Sequence, residues 1–406
     1  MKNVLVFFLS IMLFTSCNSD DEATVIDNQQ EIATIVISPI YNIKGDIANS
    51  GGEILDDGGA NITAKGICWS TSPNPDLQDN IVENGSGIQS FISALSVLDF
   101  NTTYYVRAYA VNSVGTAYSE ELSFMTTNEC TLNVFVGNVR LSTQSEVDSF
   151  GSIGYCKIEG QLVIESGVTD LSALNNLRSL ESISIYGTHE LEDLSGIDNL
   201  TEVAYEISVI RNDQLKNIDA LSNVVSPITN IVIANNLEIL NVDGLLGIST
   251  LVRTLENAPT IEILGNPALV DIDGLANISI VDEETLVAIG SSDVMTHLDG
   301  LSNISGTIRY LGVTGIDSLI DINGLSNITR VNSDITINNN SRLLNLDGIM
   351  NLKYIQGDLD ILNNSIIDFC GLNTLIIENG LQGNYNVLRN SYNPTIQDIL
   401  DGNCSL

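Results

Sequence analysis

One short pattern returns nine times between residues 157 and 372: an apolar residue, a small polar one, Gly or Ala, then Leu or Ile. Its closing residues are Leu174, Ile197, Leu221, Leu245, Leu275, Leu301, Leu325, Ile349 and Leu372, at gaps of 23, 24, 24, 30, 26, 24, 24 and 23. A period held this closely is the signature of a solenoid, in which each coil buries its apolar side against the next. No other feature of the chain limits its fold so strongly.

Each repeat carries a second element upstream, apolar-x-apolar-x-x-Asn-x-x-apolar. Ile207, Val209, Asn212 and Leu215 fit it, as do Ile231, Ile233, Asn236 and Ile239, then Ile261, Ile263, Asn266 and Leu269. Ile335, Ile337, Asn340 and Leu343 keep the frame, and Leu359, Ile361, Asn364 and Ile367 close it. The apolar pair two residues apart reads as a short strand with both side chains inward. The Asn falls where a coil turns its corner and backbone groups lose their ladder partners. An amide offers two donors and an acceptor, so stacked Asn212, Asn236, Asn266, Asn340 and Asn364 can satisfy the corner and one another. Thr188 and Ile316 occupy the slot in two other repeats, where the ladder is expected to break.

The small polar position holds Ser172, Ser195, Asp219, Asp243, Asp273, Asp299, Asn323 and Asp347. These residue types cap a helical turn by accepting a backbone N–H, and the segment that follows is read as that turn. Cys370 takes the slot in the ninth repeat. The Asp members have a second reading, a column of carboxylates able to recruit Ca²⁺. Ser and Asn at the same position favour the cap, because they keep the acceptor and drop the charge. The Gly-Gly-x-Gly-x-Asp signature of Ca²⁺-binding repeats does not occur.

The amino terminus reads as an export signal. Lys2 supplies a positive charge and Val4 to Phe14 an apolar run too short to span a bilayer. Leu13-Phe14-Thr15-Ser16-Cys17 resembles the bacterial lipobox, which implies a lipid on Cys17 and cleavage after residue 16. The acidic run Asn18-Ser19-Asp20-Asp21-Glu22 resembles the surface-export signal of Bacteroidetes lipoproteins. Residues 17–31 are read as a polar tether. Asp and Glu number 51 against 15 Lys and Arg, a net charge of −36, which repels nucleic acid phosphates and anionic lipid. The membrane contact expected is therefore the lipid alone, on the outer membrane and facing the cell exterior.

Six Cys are present. Cys68 stands alone in an apolar stretch and reads as a buried thiol. Cys130, Cys156, Cys370 and Cys404 admit three pairings; in an exported chain they read as two disulfides. Cys130–Cys156 and Cys370–Cys404 are favoured, because each would clamp one end of the repeat array.

Residues 32–127 show alternating short strands broken by turns at Gly51-Gly52, Asp57-Gly58-Gly59 and Pro73-Asn74-Pro75. Val106, Ala108 and Ala110 alternate with larger or polar neighbours, and the sole Trp, Trp69, reads as a core residue. Leu98 and Tyr104, six apart, match the tyrosine corner of fibronectin type III domains, with Phe100 where a Pro is usual. The segment resembles that family, which implies an Ig-like β-sandwich and carries no function.

From Cys130 to the end the pattern resembles the receptor L domain, a relative of leucine-rich repeats found in receptor ectodomains and bacterial surface proteins. Val139 to Phe150 and Gly160 to Ile164 look like its leading segment. The resemblance implies a fold and transfers no binding residues. The gap of 30 implies an insertion near Ser249 to Pro259, a loop projecting from one face. After Asn379 the period is lost, and Ile396 to Leu400 reads as a short helix in a cap. The fold expected is mainly β: an N-terminal fibronectin type III-like sandwich (32–127), a solenoid cap (128–156), a right-handed β-solenoid of about nine repeats of roughly 24 residues (157–372) and a C-terminal cap (373–406).

Catalytic chemistry has little foothold. His189 and His297 stand in different repeats with no metal-spaced partner, and no Gly-x-Ser-x-Gly elbow occurs. Aromatics make up 5%, too few for the aromatic-rich cleft of a glycosidase. No catalytic, cofactor or metal residue is assigned, and Ca²⁺ is the one cofactor left open. The function expected is binding or adhesion at the cell surface, presenting the solenoid to a protein or polysaccharide. The alternatives are a structural spacer or coat without a ligand and, behind it, a polysaccharide-active enzyme.

Overall fold

A computed structural model describes residues 29–406. The signal segment, Cys17 and most of the tether lie outside them. The chain divides into two compact units; Asn42–Ala48 and Ser96–Thr102 count with the second.

The first unit is built on eight short strands: β1 (Thr34–Ile37), β2 (Ile47–Asp56), β3 (Ala64–Ser70), β4 (Asn80–Glu83), β5 (Phe91–Ser96), β6 (Thr103–Val111), β7 (Thr116–Tyr118) and β8 (Leu122–Met125). They form two sheets, β1-β2-β5 and β4-β3-β6-β7, with β8 on β6. The pairs β1–β2, β3–β4, β3–β6 and β6–β7 are antiparallel. Val106, Ala108 and Ala110 on β6 are fully buried, and so are Ile67 and Cys68 on β3. Trp69 is 7% exposed and belongs to this core.

The second unit is a stack of parallel strands. The ladder runs Val139–Thr143, Lys157–Gly167, Ser179–Tyr186, Glu202–Ile210, Asn230–Ala234, Thr260–Leu264, Leu286–Ser292, Tyr310–Ile316, Ile335–Asn338, Leu359–Leu362, Tyr385–Leu388. Val134–Val136 pairs beside the second strand and completes a sheet of 12. Register is one residue per coil: Ile207, Ile231, Ile261, Val287, Leu311, Ile335 and Leu359 form one column, and Val209, Ile233, Ile263, Ile289, Val313, Ile337 and Ile361 the next. All are buried in a single continuous core. Each such side chain contributes about 1.5–3 kcal/mol by leaving water. With few aromatics, the interior is filled by stacked Ile, Leu and Val, which suit the pleated surface.

The ladder extends past the repeats at both ends. The strand Val139–Thr143 already lies parallel to the next coil, followed by the helix Gln144–Gly151. Thr143 and Glu146 close that helix with a reciprocal capping box. At the other end, Tyr385–Leu388 adds one more parallel strand. The helix Ile396–Leu400 follows, capped by Thr395 and Asp398 in the same manner.

The ninth repeat departs from its expected frame. Ile367 is 40% exposed, whereas Ile366 is fully buried. This coil is one residue shorter after its Asn, so the inward apolar position moves from the third residue to the second.

Candidate binding surface of the solenoid

The small polar column does not cap the turns. Short 3₁₀ turns do form, as at Asp219–Leu221, Asp243–Leu245, Asp273–Leu275, Asp299–Leu301, Asn323–Leu325 and Asp347–Ile349. Ser172–Leu174 and Cys370–Leu372 behave alike, while Ser195 to Ile197 forms no such turn. In each 3₁₀ turn the column residue is the first residue inside, the residue before it is apolar, and no side chain caps the start. The acceptor stands two residues earlier. Asn217, Asn241, Asp271, Asp321, Asn345 and Asp368 accept the N–H of Asp219, Asp243, Asp273, Asn323, Asp347 and Cys370 at 2.8–3.2 Å. Asp170 and Asp193 do the same for Ser172 and Ser195. These are Asx turns, which an Asp or Asn makes with its own backbone two residues on. The turn N–H holds the Asp170 carboxyl below its usual range. The roles expected of Ser172, Ser195, Asp219, Asp243, Asp273, Asp299, Asn323 and Asp347 therefore pass to the upstream Asx position. At Asp299 that position is His297, whose Nδ1 lies 3.4 Å from the Asp299 carboxylate.

The Asn column is a hydrogen-bonded ladder. Asn212 Nδ2 donates to Asn236 Oδ1 at 2.9 Å, and Asn236 Nδ2 to Asn266 Oδ1 at 3.0 Å. The same two oxygens accept the backbone N–H of Asn212 and Asn236. Each amide also donates to a carbonyl of the preceding coil, Ile185, Val209 and Ile233 in turn. Asn340 and Asn364 repeat the arrangement, and Asn364 hands on to Asn390 in the cap. Thr188 does not break the ladder: its hydroxyl donates to Asn212 Oδ1 at 2.7 Å. The break falls at Ser292 and Ile316. Ser292 turns its hydroxyl to the Leu269 carbonyl instead, and Ile316 has no polar side chain, although its N–H reaches Asn340 Oδ1. A second, exposed Asn series ties the turns: Asn277, Asn303, Asn327 and Asn351 donate to carbonyls of the coil before. It follows the recurring Leu/Ile-x-Asn-Ile/Leu segment.

One member of the Asp column is perturbed by its surroundings. Burial and the charges of Asp271, Asp219 and Asp273 raise the Asp243 carboxyl above its usual range. Among the described residues, one trio of potential metal ligands comes within 4.8 Å, Asp46, Cys130 and Cys156. Both of its sulfurs are in a disulfide, and Asp46 accepts hydrogen bonds from Thr131 and Leu132. Ca²⁺ has no such cluster in the Asp column.

The disulfides join Cys130 to Cys156 and Cys370 to Cys404. Cys68 is free and buried. His189 sits on Asp213 at 2.7 Å, and His297 stands in another coil. Beside His189, Arg211 donates to the Tyr186 hydroxyl at 3.0 Å. The polar groups of that corner are thus already paired with one another.

Regularity fails at the insertion. Leu251 and Val252 still bond to neighbouring coils, but Arg253 to Ala258 loop out around a turn in which Asn257 N–H donates to Thr254 Oγ1. This loop and the sheet beneath it frame an open cleft of about 660 Å³ lined by Tyr205, Glu206, Asn230, Leu255, Glu256 and Asn257 among others. Tyr205 is 47% exposed and Leu255 fully so. Asn230 Nδ2 reaches Glu206 at 3.3 Å, while its Oδ1 has no partner. The Thr229 hydroxyl beside it is likewise unpaired. A buried acceptor without a donor costs about 1–3 kcal/mol.

No family model and no curated protein matches the chain. Eight chains of solved structures do, two pectate lyases among them. The pectate lyase Pel3 from Pectobacterium carotovorum is 10% identical over 82% of this chain and 84% of its own, with a TM-score of 0.18. The pectate lyase PelI from Erwinia chrysanthemi, in complex with tetragalacturonic acid, is 10% identical over 83% and 85%, with a TM-score of 0.16. At these scores the likeness carries no argument, and the solenoid rests on its own strand register.

Proposed function

We propose that this chain is a surface-displayed binding protein and not an enzyme, with a solenoid that presents a ligand face. One observation carries the reading. The regular stack is interrupted on one face by a loop outside the repeat, and that loop frames a cleft lined by the exposed Tyr205 and Leu255 and by the carboxylates of Glu206 and Glu256. A scaffold carrying recognition on an inserted loop is the usual division of labour between rigid elements and loops. The coils are taken as right-handed, the sense of nearly all parallel crossovers. The first unit is taken as a fibronectin type III-like spacer, supported by its antiparallel strand pairs and by the burial of Trp69 and Tyr104. The second is taken as receptor L domain-like. Export, lipid on Cys17 and an outward-facing outer-membrane location rest on the amino-terminal motifs.

The test is twofold. Protease added to whole cells should remove the protein, and the purified mature chain should capture a protein or glycan ligand from envelope and host fractions. Resistance to protease in intact cells, released on lysis, would overturn the outward location. A structural spacer is the second reading, favoured by a core and Asn ladder that need no ligand to be complete. It predicts envelope defects on deletion with no loss of adhesion.

A further inference from the structure

The cleft beneath the 253–258 loop has a definite chemistry. We infer that it binds a neutral, hydroxyl-rich saccharide. The inference rests on the binding reading above and gives it a place and a ligand class.

Three observations point the same way. The polar side chains lining the cleft supply acceptors and donors together: the carboxylates of Glu206 and Glu256 accept, Ser182 and Thr254 carry hydroxyls, and Asn257 carries an amide. A sugar hydroxyl both donates and accepts, so it can pair with either kind of group. No Lys or Arg stands among the lining residues, so no positive charge there draws a uronate or a phosphate, and two carboxylates repel both. Tyr205 is a half-exposed ring in a chain with 5% aromatics, and Leu255 is an aliphatic side chain exposed to solvent. An aromatic face with an aliphatic neighbour accepts the C–H face of a pyranose. The unpaired Thr229 hydroxyl and Asn230 Oδ1 carry no weight, because both atoms are buried. The apolar residues Leu240, Val270, Ile320 and Leu344, each about half exposed, share one position of the coil, which Thr296 fills between Val270 and Ile320. They mark no particular place; the cleft does.

The experiment is glycan binding by the full mature chain, read on neutral, amino-bearing and uronate oligosaccharides, for the native protein and for Tyr205→Ala and Leu255→Asp. Both substituted side chains are exposed, and thermal melts confirm that the variants fold. The expected result is neutral oligosaccharide binding that weakens about tenfold or more in Tyr205→Ala. Binding unchanged in both variants would move the site elsewhere and leave the binding reading standing. Preference for uronates, or for a Lys-rich peptide run in parallel, would overturn the ligand class. No binding to any glycan at millimolar concentration would overturn the inference. If envelope proteins are then captured the function stands without it, and if nothing is captured both fail.

Discussion

Asn212 Nδ2 lies 2.9 Å from Asn236 Oδ1, one coil away, and the same oxygen accepts the Asn212 backbone N–H at 3.0 Å. A single amide thus closes one corner and braces the next. Asn236→Ala would strip the Asn212 backbone N–H and Nδ2 of their shared acceptor and take one donor from the Val209 carbonyl. Buried groups left unpaired cost about 1–3 kcal/mol each, so a loss near 3 kcal/mol or more is expected in urea unfolding. Thr188→Val, at the ladder's end, should cost clearly less.

Gly274 marks where the turns stack most closely. A Cβ there would fall 1.8 Å from the Val242 carbonyl oxygen, and Gly300 meets Ile272 in the same way. Gly274→Ala should therefore lower Tm markedly, because backbone and not a mobile side chain stands in the way. Gly402→Ala is the control. It has open space around it and a positive φ of 82°, so it carries only the conformational penalty.

The Asp243 carboxyl is raised by burial and by its acidic neighbours. A carboxyl raised in the fold holds its proton more tightly there than in the unfolded chain. Its charged form opposes folding at neutral pH, and the opposition fades as pH falls through the raised value. Asp243→Asn should raise Tm at pH 7, and the gain should vanish below about pH 4. Asn323 already fills this slot in another coil, so the substitution fits. Ca²⁺ at millimolar concentration should shift Tm no more than Na⁺ at equal ionic strength.

The Cys370–Cys404 bridge spans 34 residues and ties the cap to the last coil. Replacing both by Ser should cost about 3–4 kcal/mol by loop entropy. Hydrogen exchange should rise first in residues 385–406.

Burial pushes the Cys68 thiol up to about 11. It should not react with a thiol reagent at pH 8 in the folded chain and should react once in denaturant.

Much of this architecture is written in the sequence. The column Ile207, Ile231, Ile261 repeats at coil spacing, and an inward strand of two alternating residues has no other home. The Asn in register was legible because a buried corner needs donors and acceptors together. The turn caps were misplaced because Asn217 and Asp219 are both acceptor residues two apart, and only backbone geometry says which one turns on itself. Ile366 and Ile367 are equally apolar, so a deletion of one residue could not be placed. The cleft was visible only as a gap of 30. Its lining comes from coils distant in sequence, brought together by stacking.

The most direct test of coils joined by an internal amide column is side-chain hydrogen exchange by NMR on the full chain. The Nδ2 protons of Asn212, Asn236, Asn340 and Asn364 should exchange roughly a thousandfold more slowly than those of a free Asn, with Asn390 faster than these. Free-Asn rates at Asn236 in a chain that remains folded would contradict the ladder and the stacking built on it.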